Sequence, residues 1–177
     1  QKEVYLMTEL NAANAGTYKF DDQFVVNRLG YGTMQLTGKG TWGPYADPAR
    51  AADVVTHATE LGINFFDTAD SYGPWFADRY LAEGLKGAAN RDQIFISDKV
   101  GQTCQGPGIW TPHGEPNYLR QQVEVSMMTL GIDHEDLVFL HRIDSHFPVA
   151  EQVGELKKMQ DEGKIRHIGL SQVSVDQ

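Results

Sequence analysis

Four side chains in this sequence combine into one acid-base group: Asp67, Tyr72, Lys99 and His141. Asp67 and Tyr72 belong to Asp67-Thr68-Ala69-Asp70-Ser71-Tyr72-Gly73. Lys99 closes Ile94-Phe95-Ile96-Ser97-Asp98-Lys99, and His141 closes Leu137-Val138-Phe139-Leu140-His141. A phenol titrates near pH ~10 and is a poor acid at neutral pH. An ammonium beside it favours phenolate and lowers that value. Lys99 fits that part, with Asp67 pairing with Lys99 to hold it charged and placed. His141 is suited to hydrogen-bond a substrate carbonyl oxygen while Tyr72 protonates the alkoxide as it forms. The chemistry implied is carbonyl reduction. No side chain carries hydride, so a nicotinamide or flavin must supply it.

Such a group works only if separate elements bring it to one place. Asp67, Lys99 and His141 each end an apolar run that reads as a buried strand, and the ends are 32 and 42 residues apart. Each gap holds one helix and its loops. Strand alternation puts Ile63, Phe65 and Asp67 on one face, and likewise Phe95, Ser97 and Lys99, and Leu137, Phe139 and His141. Asp98 has the opposite parity and is expected to point outward. Tyr72 sits on the loop above the same rim.

The same grammar runs along the chain. Residues 17–20 and 24–26 read as a β-hairpin around a polar turn. Residues 29–34 form the first strand, and Asp47-Pro48 opens a helix to about Leu61 with Gly62 as its stop. Further strands are expected at 63–66, 94–99, 137–141 and 165–173. Further helices are expected at about 77–86, 116–130 and 148–162, and residues 101–114 read as a loop. Strand–helix alternation of this kind argues for a parallel sheet. An open doubly wound sheet calls for a glycine-rich turn after the first strand. Here Gly30-Tyr31-Gly32 lies inside that strand, and Gly38-Lys39-Gly40-Thr41-Trp42-Gly43 lacks the G-x-G-x-x-G spacing. The fold class expected is therefore an α/β barrel of the (β/α)8 type. It is cut to about five parallel strands and four helices and preceded by the hairpin, since a full barrel takes about 250 residues.

The chain has 177 residues, 41% hydrophobic and 22% charged, with a net charge of −9. That balance argues against nucleic acid or an anionic membrane as a main partner. Cys104 is the single cysteine, so no internal disulfide forms, and a reducing compartment, the cytoplasm, is the default. Met7-Thr8-Glu9-Leu10 reads like a natural start. Residues 1–16 are expected to be disordered or left over from expression, with 17–177 as one domain incomplete at its C-terminus. A five-stranded piece leaves open parallel edges, which predicts self-association.

These motifs together resemble the aldo-keto reductases. Gly62-Ile63-Asn64-Phe65-Phe66-Asp67-Thr68-Ala69-Asp70-Ser71-Tyr72-Gly73 resembles that family's first signature. Gly163-Lys164-Ile165-Arg166-His167-Ile168-Gly169-Leu170-Ser171 is similar to its second, and Arg28-Leu29-Gly30-Tyr31-Gly32-Thr33-Met34 to its first barrel strand. The resemblance implies NADPH as cofactor and reversible reduction of aldehydes or ketones. It makes Tyr72 the proton donor, Lys99 and Asp67 its tuning pair, and His141 the residue that orients the carbonyl. It also places Gly32, Thr33, Met34, Asp67, Ser171 and Gln172 near the nicotinamide half. Gln172 stands where many members have asparagine. The competing readings are a regulatory NADPH-binding subunit, like the β subunits of potassium channels, and an inactive fragment lacking the cofactor phosphate site.

Other groups read more plainly. Asp133, His134, Asp144 and His146 lack the regular spacing of metal ligands, so no metal is expected. His57 falls mid-helix and reads as structural or solvated. Trp42, Tyr45, Trp75, Phe76 and Trp110 lie on or after loops above the rim, as core or as the wall of a substrate pocket.

Overall fold

The computed structural model describes residues 10–88 and 91–177. Its centre is a five-stranded parallel sheet in the order β3 (Tyr31–Gly32), β4 (Phe65–Asp67), β5 (Phe95–Val100), β8 (Glu135–Leu140) and β9 (Ile165–Leu170). Helices α1 (Pro48–Glu60), α2 (Phe76–Leu85), α3 (Pro116–Leu130) and α4 (Val149–Asp161) form the crossovers. Sequential strands are sheet neighbours throughout, as in a singly wound barrel wall. No helix of the described residues is long and apolar enough to cross a membrane.

Local chemistry sets the helix ends. The Asp47 carboxylate accepts from Arg50 N at 3.1 Å, with Pro48 in the first turn of α1. Glu115 caps α3 in the same way, accepting from Tyr118 N at 2.7 Å. Gly131 ends α3 at φ 68°, a left-handed conformation that glycine takes without steric cost.

Strand alternation divides the sheet into two faces. Phe66 and Ile96 pack with Val55, Leu81 and Leu85 beneath α1 and α2. Val138 and Leu140 pack with Val123, Leu156 and Met159 beneath α3 and α4. The inner face carries Phe65, Phe95, Leu137 and Phe139, which meet Phe20, Phe24 and Val26 of the hairpin β1 (Thr17–Lys19) and β2 (Val25–Asn27). The Phe20 and Phe95 rings are 4.5 Å apart, so the hairpin stoppers the sheet's concave side. Truncating the fully buried Phe95 to alanine would cost ~3–5 kcal/mol.

The structure departs from the sequence expectation in several places, among them the fifth strand, which ends at Leu170 rather than at residue 173. The first strand is only Tyr31–Gly32, and Thr33–Leu36 turns into a 3-10 helix. Residues 101–114 contain a second hairpin, β6 (Gln102–Gly106) with β7 (Ile109–Pro112). Asp98 points away from the barrel axis as expected, into the helix layer, where it is fully buried. Of the segment 1–16, residues 1–9 lie outside the described residues. Asn11 caps a 3-10 turn at Ala12–Ala15, and Ala12 N donates to Leu61 O at 2.7 Å.

Candidate active site

Parallel pairing brings the predicted residues to one rim. Asp67 pairs with Ser97, and Lys99 with Phe139. His141 follows β8 directly, its N–H donating to Val100 O at 2.8 Å. Asp70 N donates to Lys99 O at 3.1 Å, and Trp75 N to Asp70 O at 3.0 Å. These bonds fold the 70–75 loop back over the strand ends. Gly73 sits at φ 103° with Phe76 Cβ where its own Cβ would stand, so only glycine closes this turn and delivers Tyr72.

Lys99 is the hub. Its ammonium donates to Asp67 Oδ2 at 2.5 Å, to Thr68 O at 2.9 Å and to Tyr72 Oη at 3.4 Å. Ser97 Oγ donates to the other Asp67 oxygen at 3.3 Å. The Tyr72 and His141 rings meet edge to face at 6.0 Å, and Ser71 Oγ stands 3.5 Å from His141 Nδ1. All four residues named from sequence therefore share one cluster.

The electrostatics correct one expectation. Lys99 does pull the Tyr72 phenol downward, but burial pushes it up more strongly and Asp67 adds to that push. The net position is above the ordinary tyrosine value, so the phenol keeps its proton at neutral pH. His141 moves the other way: burial first, then the charges of Lys99 and Arg142, lower it to about 3. The imidazole is neutral. A neutral imidazole has one N–H donor and one acceptor nitrogen.

A cavity of about 330 Å³ opens over this cluster, lined by Met34, Thr41, Tyr72, Gln102, Trp110, His141 and Arg142. Sequence reasoning missed Thr41, Gln102 and Arg142. Arg142 follows His141 directly and donates to His141 O at 2.5 Å and Ser171 Oγ at 3.1 Å. Adjacency to the histidine was the available signal for it. No local signal marked the other two, because the β6–β7 hairpin and the 37–44 loop meet only in the fold, where Gly108 N donates to Gly40 O at 2.8 Å.

The residues named for a cofactor are spread along the same rim. Met34 lines the cavity mouth at 40% exposure, and nothing stands within 4 Å of where a Gly32 Cβ would be. Ser171 N donates to Leu140 O at 3.1 Å, which holds it beside the strand ends. Gln172 is exposed in a left-handed conformation at φ 52°. Thr33 differs: it is fully buried and its hydroxyl donates to Thr68 Oγ1 at 2.9 Å, so its side chain serves the fold. Asp144, named among the metal-like residues, accepts instead from Gly114 N and His146 N.

Comparison with known proteins agrees with this geometry. The model of the Aldo/keto reductase family matches residues 28–177. An uncharacterized oxidoreductase of Schizosaccharomyces pombe is 44% identical over 170 residues, covering 94% of this chain and 53% of its own. An aldo-keto reductase of the same yeast, with NADP(+) in its name, is 35% identical over 152 residues, covering 85% of this chain and 44% of its own. The solved holo form of an aldo-keto reductase from Bacillus halodurans superposes with a TM-score of 0.73 at 29% identity. That match covers 88% of this chain and 49% of the other. The chain belongs to the aldo/keto reductase family, and its five parallel strands and four helices are a portion of that family's α/β barrel. It spans about half the length of the curated relatives it matches.

Proposed function

We propose that the protein is an NADPH-dependent oxidoreductase that reduces aldehydes or ketones to alcohols, with Tyr72 as proton donor. The observation that carries this reading is the Lys99 ammonium, bonded to Asp67 and 3.4 Å from the Tyr72 hydroxyl, beside a neutral His141. Family membership supports an oxidoreductase, and the NADP(+) in one relative's name supports the choice of nicotinamide.

The residues present fit the nicotinamide half of such a cofactor. The open space at Gly32, the exposed Met34 and the Ser171 hydroxyl lie along the rim that holds Tyr72. A reduced nicotinamide bound there supplies the hydride. His141, a neutral imidazole, donates its ring N–H to the carbonyl oxygen and orients it. As the carbonyl carbon takes the hydride, its oxygen takes the Tyr72 proton. Lys99 then faces the phenolate left behind, and Asp67 keeps Lys99 in that place. Burial keeps the phenol protonated until the alkoxide forms.

Aldehyde-dependent NADPH oxidation tests the reading, with cofactor binding followed by protein fluorescence. Tyr72→Phe is expected to bind NADPH and to lose ~10²–10⁴ in rate. A Tyr72→Phe protein with wild-type turnover would overturn the assignment.

A further inference from the structure

The β6–β7 ribbon carries Gln102 and Cys104 on one strand, and Trp110 directly opposite Cys104 on the other. Alternate residues of a strand share a face, and so do opposed residues of a pair. The Trp110 ring meets the Tyr72 ring edge-on at 6.4 Å. The face that carries Gln102 is thus the one turned to the phenol, and Gln102 stands between the cavity of Tyr72 and His141 and a smaller one lined by Asp70, Ser71, Tyr118 and Gln122. Gln102 is only 8% exposed, yet its side-chain amide makes no hydrogen bond among the described residues.

A glutamine that serves the fold looks different in this molecule. Gln152, fully buried, accepts from Asp144 N at 3.1 Å and donates to Asp144 O at 2.9 Å and Phe147 O at 2.8 Å. The Gln102 amide is not sealed from solvent, unlike the unpartnered carboxylate oxygens of Asp70 and Glu135, so it stands open to a group that enters the cavity. Two other polar groups of the cavity are engaged. Arg142 is bonded to His141 O and Ser171 Oγ, and the Thr41 carbonyl accepts from Gly73 N at 3.1 Å. The Gln102 amide offers an acceptor and two donors, a set that a hydroxyl group satisfies from both sides.

We infer that Gln102 is a specificity residue that hydrogen-bonds a substrate hydroxyl, so that the site selects hydroxylated carbonyl compounds over alkyl ones of equal size. Tyr72 and His141 take the carbonyl oxygen, and Gln102 takes a hydroxyl further along the same molecule. This rests on the carbonyl-reduction reading above.

Glycolaldehyde and propanal differ only by a hydroxyl in place of a methyl. The wild-type kcat/KM is expected to favour glycolaldehyde about tenfold, and in Gln102→Leu the ratio should fall to near one. A ratio that survives the substitution overturns the inference. To separate it from the carbonyl reading, the wild-type ¹⁵N-labelled chain is titrated with the two product alcohols, ethylene glycol and 1-propanol. The Gln102 side-chain amide signals should move with ethylene glycol alone, whether or not either aldehyde is reduced. Equal response to both alcohols, or to neither, overturns the inference even if propanal is turned over. Absent turnover with an ethylene-glycol response sinks the carbonyl reading and leaves the hydroxyl contact standing.

Discussion

Lys99 Nζ lies 2.5 Å from Asp67 Oδ2 across two adjacent parallel strands, and this pair stands directly beneath the Tyr72 hydroxyl. Lys99 lowers the phenol's pKa, and Asp67, by offsetting that charge, raises it. The two substitutions should therefore move the basic limb of a kcat/KM profile in opposite directions. Lys99→Met is expected to shift it upward and Asp67→Asn downward. Each should also slow turnover by on the order of tenfold or more, through lost positioning. A limb unmoved by either change would remove Tyr72 as the titrating acid.

His141 is held neutral by burial and by the nearby charges of Lys99 and Arg142, titrating at about 3 against an ordinary 6.5. Its proton NMR signals should stay flat between about pH 8 and 5. In this window the unfolded chain takes up the proton that the fold refuses, so stability falls as pH drops from 6.5 toward about 3. His141→Gln should lack that contribution, worth about 2 kcal/mol at pH 5. Parallel denaturant titrations at pH 7 and pH 5 read the difference.

Glu135 begins β8 fully buried, and neither of its carboxylate oxygens has a hydrogen-bond partner. Burial pushes it well above the ordinary glutamate value of 4.5, and the acidic Asp98, Asp78 and Asp136 add to that, with Arg91 opposing. The folded state keeps a proton that the unfolded chain releases, so this group costs stability as pH rises above about 4.5. Glu135→Met, an apolar replacement, should stabilise the protein at pH 8 by ~1–3 kcal/mol and by less at pH 5. Urea midpoints at the two pH values check both the sign and the trend.

Gln172 occupies the left-handed region at φ 52°. Glutamine adopts that conformation reluctantly, whereas asparagine visits it readily. Gln172→Asn is expected to gain up to about 1 kcal/mol, read as a rise in melting temperature. A drop would mean that the longer amide makes a contact that offsets the strain.

How much of this was legible in the sequence differs by element. The strand ends at Asp67, Lys99 and His141 could be read directly, because apolar runs of period two fix which side chains share a face. The same parity was right for Asp98, though it did not say what Asp98 would meet. Outward from a barrel wall means under a helix, and Ser126 Oγ of α3 donates to Asp98 Oδ2 at 2.5 Å. Residues 101–114 held too few apolar positions to announce the β6–β7 hairpin, whose Gln102–Pro112 pairing follows from ladder geometry.

The residue types and spacing of this chain by themselves determined the succession of the five parallel strands and four helices and the four acid-base side chains. Tertiary structure decided their protonation. Net burial sets Tyr72 above its ordinary pKa against the pull of Lys99, because desolvation depends on everything packed around a group and not on its neighbours in sequence. Tertiary structure also decided which residues outside the motifs reach the site. Thr41, Gln102 and Trp110 come from two separate loops, and only the closing of those loops over Tyr72 makes them walls of one cavity.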